Sequence, residues 1–253
     1  MGDGREFFRG PVFAPKGDGF GFVITGETKN SLAMINDQIW QSSDWRNTGG
    51  TKVPKVAQKS LTFSPDGSRN YFLLTDGPMP LHYLDGKPLD LAGLHAVAWV
   101  DQPLAYSDDV FAVFSPNGQH VSVVAKPVPS GDEKYWVLVD GRRLTALEST
   151  VRRAPAFTSD SRHLVWGSYE RVKRPNGRPG MDWVIYVDGQ PALSLNYQMP
   201  LGGELYKQPG IWSMGTDGKF RVLAEGDDGI VLHTITPSRE FDLEAALATA
   251  AAE

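Results

Sequence analysis

At 253 residues, with 41% hydrophobic and 22% charged side chains, the chain has the make-up of an ordinary globular protein, which excludes intrinsic disorder and coiled coil. The absence of cysteine excludes disulfides, thiolate zinc sites, iron–sulfur clusters and a cysteine nucleophile. A net charge of −5 argues against a nucleic-acid partner; no apolar run approaches the ~18 residues of a membrane helix, and Met1 to Gly10 lacks the apolar stretch of a signal peptide.

In chain order, REFFR (5–9) reads as a strand with no partner in its own neighbourhood. A tag then recurs about every 50 residues: FAPKG from Phe13, FSPDG from Phe63, FSPNG from Phe114, FTSDS from Phe157 and MGTDG from Met214. Each tag precedes a β-rich run: FGFVIT, NYFLLT, HVSVVA, HLVWGS and FRVLAE. An apolar residue, a Ser/Pro/Asp/Gly turn and a β-branched or aromatic run make a hairpin. A second tag follows in three units: YLDG ending at Gly86, LVDG at Gly141 and YVDG at Gly189. Unit one has Asn36-Asp37 there and unit five has Pro237. The repeat is strand A, SPDG turn, strand B, variable loop, strand C, DG turn, strand D. His120 and His163 stand at equivalent places and are expected to open strand B, while His82 and His233 are expected to begin strand C. The predicted fold is an all-β, five-bladed β-propeller of four-stranded antiparallel blades over residues 1–237, with REFFR closing the ring as the missing strand of blade five. Residues 238–253 form a short helical tail, with Ser238 as N-cap and Phe241, Leu243 and Leu247 for docking.

At the FSPDG and VDG tags the chain resembles the TolB-like, WD40-like propeller repeats. The resemblance covers about five repeats and implies a propeller without implying one function. The first and fifth tags depart from the pattern, and the helical domain of the family's namesake has no counterpart.

The SPDG and DG turns share one side of the disc, so the longer B–C loops and the D-to-A crossovers open on the other. Elaborated loops on a repeated scaffold make that side the candidate binding face. Its candidate residues are Trp45, Arg46, Tyr106, Asp108, Asp109, Arg171, Lys173, Arg174, Arg178, Tyr197, Glu204 and Tyr206. The unit-four segment YERVKRPNGRPGMD (169–182) reads as an irregular basic loop, inside a stretch from Arg142 to Arg178 that carries nine basic residues against three acidic.

Catalytic patterns are absent: there is no HExxH, P-loop, GxGxxG or GxSxG, and the five histidines are too scattered for a local metal motif. The expected function is a non-catalytic binding or scaffolding module with a protein partner or an anionic or carbohydrate ligand, without metal or cofactor. Its compartment is cytoplasmic, or periplasmic or extracellular after signal removal. The alternative is a carbohydrate-binding or glycoside-hydrolase-type propeller using carboxylates among Asp44, Asp108, Asp109, Asp182 and Glu204.

Overall fold

A computed structural model describes residues 7–25, 31–36, 38–41, 55–56, 60–75, 81–91, 95–96, 112–126, 135–147, 155–173, 179–195, 199–200, 212–215, 217–226, 229–238 and 240–250. They form five antiparallel sheets in chain order and one short helix. Sheet 1 holds β1 (Phe7–Phe13), β2 (Phe20–Thr25), β3 (Ser31–Ile35) and β4 (Gln38–Gln41). Sheet 2 holds β5 (Lys55–Val56), β6 (Thr62–Phe63), β7 (Asn70–Thr75), β8 (Leu81–Leu84) and β9 (Lys87–Pro88). In sheet 3 are β10 (His95–Ala96), β11 (Ala112–Phe114), β12 (Val121–Lys126), β13 (Tyr135–Val139) and β14 (Arg142–Leu147). Sheet 4 comprises β15 (Ala156–Phe157), β16 (Leu164–Lys173), β17 (Pro179–Val187) and β18 (Gln190–Leu195). Sheet 5 comprises β19 (Met199–Pro200), β20 (Trp212–Met214), β21 (Phe220–Gly226) and β22 (Gly229–Ile235), followed by α1 (Leu243–Ala250).

The tags work through one repeated hydrogen-bond pattern. In the first turn the hydroxyl of Ser64, Ser115 or Thr158 accepts from the backbone N–H five residues on, at 3.0, 2.9 and 3.0 Å. The same hydroxyl donates to Asp66, Asn117 or Asp160 at 2.5, 2.6 and 2.5 Å. The residue opening the second turn (Asn36, Asp85, Asp140 or Asp188) is held at φ between 51° and 53°, a region that Asn and Asp tolerate best after glycine. Its side-chain oxygen accepts from the first N–H of strand B (Phe20, Asn70, Val121 or Leu164) at 2.9–3.0 Å. The second carboxylate oxygen takes Arg69 Nε at 3.0 Å, and His120 Nδ1 and His163 Nδ1 at 2.7 Å. Both turns of a unit therefore meet at one end of its sheet, and His120 and His163 serve as structural pins on separate sheets.

Asp66, fully exposed, is held down to about 2 first by the Ser64 hydroxyl and then by the hydroxyl and N–H of Ser68. A carboxyl lowered by folding stabilises the fold above its ordinary value of 3.8, and that contribution is lost as pH falls through about 2. Asn117 fills the same place in unit three, so Asp66→Asn is expected to fold at neutral pH and to lose part of the acid sensitivity. The melting temperature of the wild type should fall more steeply than the variant's between about pH 4 and pH 2. Parallel profiles would count against this role for the turn.

Consecutive sheets pack through the tag phenylalanines. Phe63 lies with Ile35 and Val12 of sheet 1, Phe114 with Tyr71 and Leu73 of sheet 2, and Phe157 with Val137 and Val139 of sheet 3. The same step recurs where Phe220 and Val222 meet Ile185 and Val187 of sheet 4. The first turns also touch. Gly67 stands so close to the Lys16 carbonyl that any side chain would strike it, and Arg69 Nη1 donates to Gln119 O at 2.6 Å. Asn117 N donates to Ser161 Oγ at 3.0 Å and Ser159 Oγ to Gly215 O at 3.3 Å. Helix α1 docks in cis over sheets 3 and 4: Leu243 and Leu247 join the cluster of Val124, Val137, Phe157 and Trp166. Glu244 reaches His120 Nε2 at 3.0 Å, and the Phe241 ring lies 5.8 Å from that of His163.

Five expectations are corrected. REFFR does not serve sheet 5: Phe7, Phe8 and Arg9 pair with Thr25, Ile24 and Val23 of their own sheet. A shift at Gly10-Pro11 lets that strand run on into the tag, so it is strand A itself. The segment 169–182 is not an irregular loop over its whole length, since β16 and β17 stay paired out to Lys173 and Pro179. The D-to-A crossover into sheet 5 is not loop throughout, since β19 pairs with Glu225 and Ala224 as the first piece of strand A. The helix is capped by Asp242, whose Oδ1 accepts from Glu244 N at 3.0 Å and Ala245 N at 3.2 Å, while Ser238 Oγ accepts only within a preceding turn. Finally, His82 is the second residue of β8 and His233 lies in mid-β22.

Candidate functional site

The B–C hairpin of sheet 4 is unlike the others. Its strands run ten and nine residues, against four to seven for the corresponding strands elsewhere. At about 3.3 Å per residue it projects ~10 Å past the next longest, away from the SPDG and DG turns. Pro179 is tolerated because it sits in the last pair, opposite Lys173, where the ladder ends.

One face of this hairpin changes character along its length. Near the turns it carries Leu164 and Trp166; further out come Ser168, Glu170 and Asp182, with Trp166, Ser168 and Asp182 buried. Tyr186 stacks on Trp166, with centroids 5.6 Å apart and planes 6° from parallel, and its hydroxyl donates to Glu170 Oε1. Glu170 faces Asp182 directly across the ladder, a like-charged pairing that costs stability unless its surroundings offset it. The tyrosine hydroxyl does so for Glu170, and Ser194 Oγ donates to Asp182 Oδ2 at 3.4 Å. On the opposite face Trp183 lies across Gly167, where a side chain would collide with the indole. The hairpin is thus a stiffened arm with an acidic, aromatic inner face and an exposed Lys173 at its outer end.

Of the predicted binding residues, Arg171 and Lys173 lie on this arm, in β16. Trp45, Arg46, Tyr106, Asp108, Asp109, Arg174, Arg178, Tyr197, Glu204 and Tyr206 lie outside the described residues, as do Asp44 and the B–C connections. In sheet 3, Ala96 pairs with Ala125 and Ala112 with Val123, so Tyr106, Asp108 and Asp109 stand in sequence between two segments that both pair with β12. In sheet 5, Pro200 pairs with Ala224 and Trp212 with Val222, so Glu204 and Tyr206 stand in sequence between two segments that both pair with β21. Sequence reasoning missed Glu170 as the partner of Asp182, although in-register extension of the β16–β17 pairing would have found it.

A second buried polar pair lies in sheet 2, where Tyr71 OH and His82 Nδ1 are 2.6 Å apart. Burial drives His82 down to about 3 and Tyr71 well above its ordinary range, so both are neutral at physiological pH. Among the described residues no group of three or more His, Cys, Asp or Glu is placed to hold a metal ion, and no helix is long and apolar enough to cross a membrane.

No protein-family model and no curated protein matches the sequence. Among solved structures the chain is similar to the β-propeller domain of the Trilobed protease from Pyrococcus furiosus, described as revealing an open velcro topology. The identity is 13%, the match covers 92% of this chain and 82% of that one, and the TM-score is 0.44, a level of likeness that assigns no family.

Proposed function

We propose that the chain is a TolB-like, WD40-like propeller of five blades over residues 1–237 with a helical tail over 238–253, four-stranded in the first four blades and with three ladder positions among the described residues of the fifth. In this reading it acts as a non-catalytic binding module for a protein partner. Five successive antiparallel sheets that repeat one turn pattern and one packing step support the propeller reading. The split inner strand in sheets 2 and 3 accounts for a fifth segment without a fifth ladder position, and the same split in sheet 5 leaves its four segments at three ladder positions. The binding face is the side away from the SPDG and DG turns, and its residues are Trp45, Arg46, Tyr106, Asp108, Asp109, Arg171, Lys173, Arg174, Arg178, Tyr197, Glu204 and Tyr206.

The observation that carries this reading is the projecting β16–β17 arm, which the sheet does not need and whose outer end and connection concentrate Arg171, Lys173, Arg174 and Arg178. Arg outnumbers Lys there, and its planar fork suits carboxylates. The partner surface is therefore acidic. Immobilised poly-L-glutamate is the probe: the wild type is expected to be retained at low salt and released as salt rises. Arg171→Ala/Arg174→Ala/Arg178→Ala should elute early with a nearly unchanged melting temperature. Equal retention of the two proteins would overturn the reading.

The carbohydrate reading is second, favoured by the facing Glu170 and Asp182 beside the stacked Trp166 and Tyr186. On a mixed oligosaccharide array, binding lost in Glu170→Gln but kept in the triple variant would move the site to that carboxylate pair.

A further inference from the structure

Inside the contact between sheets 2 and 3, one buried position departs from the repeat. The residue opposite the fourth position of strand B is Ala33, Val137, Ile185 and Leu232 in sheets 1, 3, 4 and 5, but His82 in sheet 2. Val137 and Ile185 are fully buried against the sheet that follows, so an apolar side chain suffices to build this seat. His82 is 3% exposed and shares a face with Tyr71 and Leu73, which pack on Ala112, Phe114, Val121 and Val123 of sheet 3. A histidine here costs stability that the packing does not require.

The surroundings of the ring offer nothing to hold a positive charge. Tyr71 OH lies 2.6 Å from Nδ1, with ring centroids 5.4 Å apart, and Nε2 has no hydrogen-bond partner among the described residues. Burial keeps Tyr71 protonated, so the group bonded to the ring is an uncharged hydroxyl. A protonated ring would keep one N–H on that hydroxyl and leave the other unmatched in an apolar cluster. The buried histidines of the next contact, His120 and His163, each bond a carboxylate instead. The charged and titratable residues on the elements around His82 are Arg69, Asp85, Lys87, Asp90, His95 and Lys126. Arg69 is engaged by Asp85 at 3.0 Å and lies over the Phe114 ring at 5.8 Å.

We propose that His82 is an acid-sensing latch, whose ring takes up a proton and so loosens the contact between sheets 2 and 3 while the contact between sheets 3 and 4 stays closed. Where each sheet packs only on its neighbours, one junction can weaken by itself. The sign follows from burial, which is the whole cause that lowers the ring to about 3 in the closed contact. Once the contact opens and water reaches the ring, it returns to the ordinary 6.5. Above 6.5 both states hold a neutral ring and the latch is shut. As pH falls from 6.5 towards 3 the opened state gains a proton that the closed state refuses, and each unit favours opening about tenfold.

Amide hydrogen exchange of the full chain between pH 7 and pH 4.5, corrected for the intrinsic rate at each pH, tests this. That range stays above the acid loss at Asp66. In the wild type the opening constant of amides in β7, β8 and β12 is expected to rise about a hundredfold, with β16 and β17 little changed. His82→Gln keeps an acceptor for the Tyr71 hydroxyl without titrating, and His82→Val places at this seat the residue found at Val137; each should give a flat profile, and either one suffices if the other does not fold. His95→Gln, on the strand of sheet 3 packed against β8, should keep the wild-type profile. A profile in His82→Gln as steep as the wild type's would overturn the proposal, as would a flat wild type or a flat His95→Gln. Acceleration of β16 and β17 in step with β7 and β8 would overturn it too, since the whole chain and not one contact would then be opening.

Discussion

Phe157→Ala is expected to lower the unfolding free energy by about 3 to 5 kcal/mol, a large share of the 5 to 15 kcal/mol that holds a typical domain together. The ring is 5% exposed and lies where three parts of the molecule meet: Val124, Val137 and Val139 of sheet 3, Leu164 and Trp166 of sheet 4, and Leu243 and Leu247 of the helix. Its face also lies against His120, with centroids 6.3 Å apart. Truncation removes the ring's transfer free energy and leaves a cavity that none of the three can close without giving up its other contacts. For a chain of this size the loss corresponds to a fall of about 6 to 20 °C in melting temperature. Urea unfolding should show a shifted midpoint with an unchanged slope. A loss below about 1 kcal/mol would mean that the junction collapses around the gap, and that the tag phenylalanines do not hold the sheets in sequence.

Phe13, the same tag residue in the same repeat, is 69% exposed, so the sequence could show that a phenylalanine was a knob but not whether a seat existed for it. That difference marks the boundary of what was legible. Everything set by the local chain was: the Ser and Asp of FSPDG, the αL residue of the DG turn, the shared end of the two turns and the buried Phe63, Phe114 and Phe157 follow from steric and hydrogen-bond preferences within a few residues. What depended on pairing was not. Among the described residues of four sheets strand A pairs with strand B in two separate runs, the first ending at Arg9, Val56, Ala96 and Pro200 and the second starting at Val12, Thr62, Ala112 and Trp212. The two-residue pieces KV, HA and MP that make the first of these runs in sheets 2, 3 and 5 carry no pattern that distinguishes them from loop. The REFFR error has the same origin, since a strand interrupted by Gly-Pro looks like a strand that has ended. Residues 169–182 have the composition of a loop because Pro179 and Gly180 are poor strand formers, yet at a hairpin's end Pro forfeits no ladder bond and partner pairing outweighs propensity. For the candidate site, charge and composition located the arm, while the Glu170–Asp182 facing pair needed the register.

The turn lock gives the second large effect. Asp188→Ala is expected to cost about 2 to 5 kcal/mol at neutral pH, from three losses at one residue. Leu164 N–H loses its acceptor at 2.9 Å and His163 Nδ1–H loses its acceptor at 2.7 Å, both in a setting where the His163 and Asp188 side chains are 9% and 7% exposed. Alanine must also hold φ near 53°, which Asp tolerates better than a residue without a polar side chain. Asp188→Asn should recover most of this, because Asn36 makes the corresponding bond to Phe20 N at 3.0 Å with the same φ of 53°. What Asn cannot restore is the carboxylate opposite His163. Burial raises the Asp188 carboxyl above its ordinary value, against the pull of Leu164 N–H and His163. A carboxyl raised by folding binds its proton more tightly in the folded chain, so its contribution is present at low pH and declines as pH rises from 3.8 through the raised value. The stability gap between wild type and Asp188→Asn should therefore narrow across that window, opposite in sign to the acid-side loss at Asp66. Urea midpoints of the three proteins at about pH 4 and pH 7 measure both the ranking and the drift. If Asp188→Asn proved as damaging as Asp188→Ala, the residue would be acting through its charge on His163, and the hydrogen bond to strand B would not be what fixes the turn.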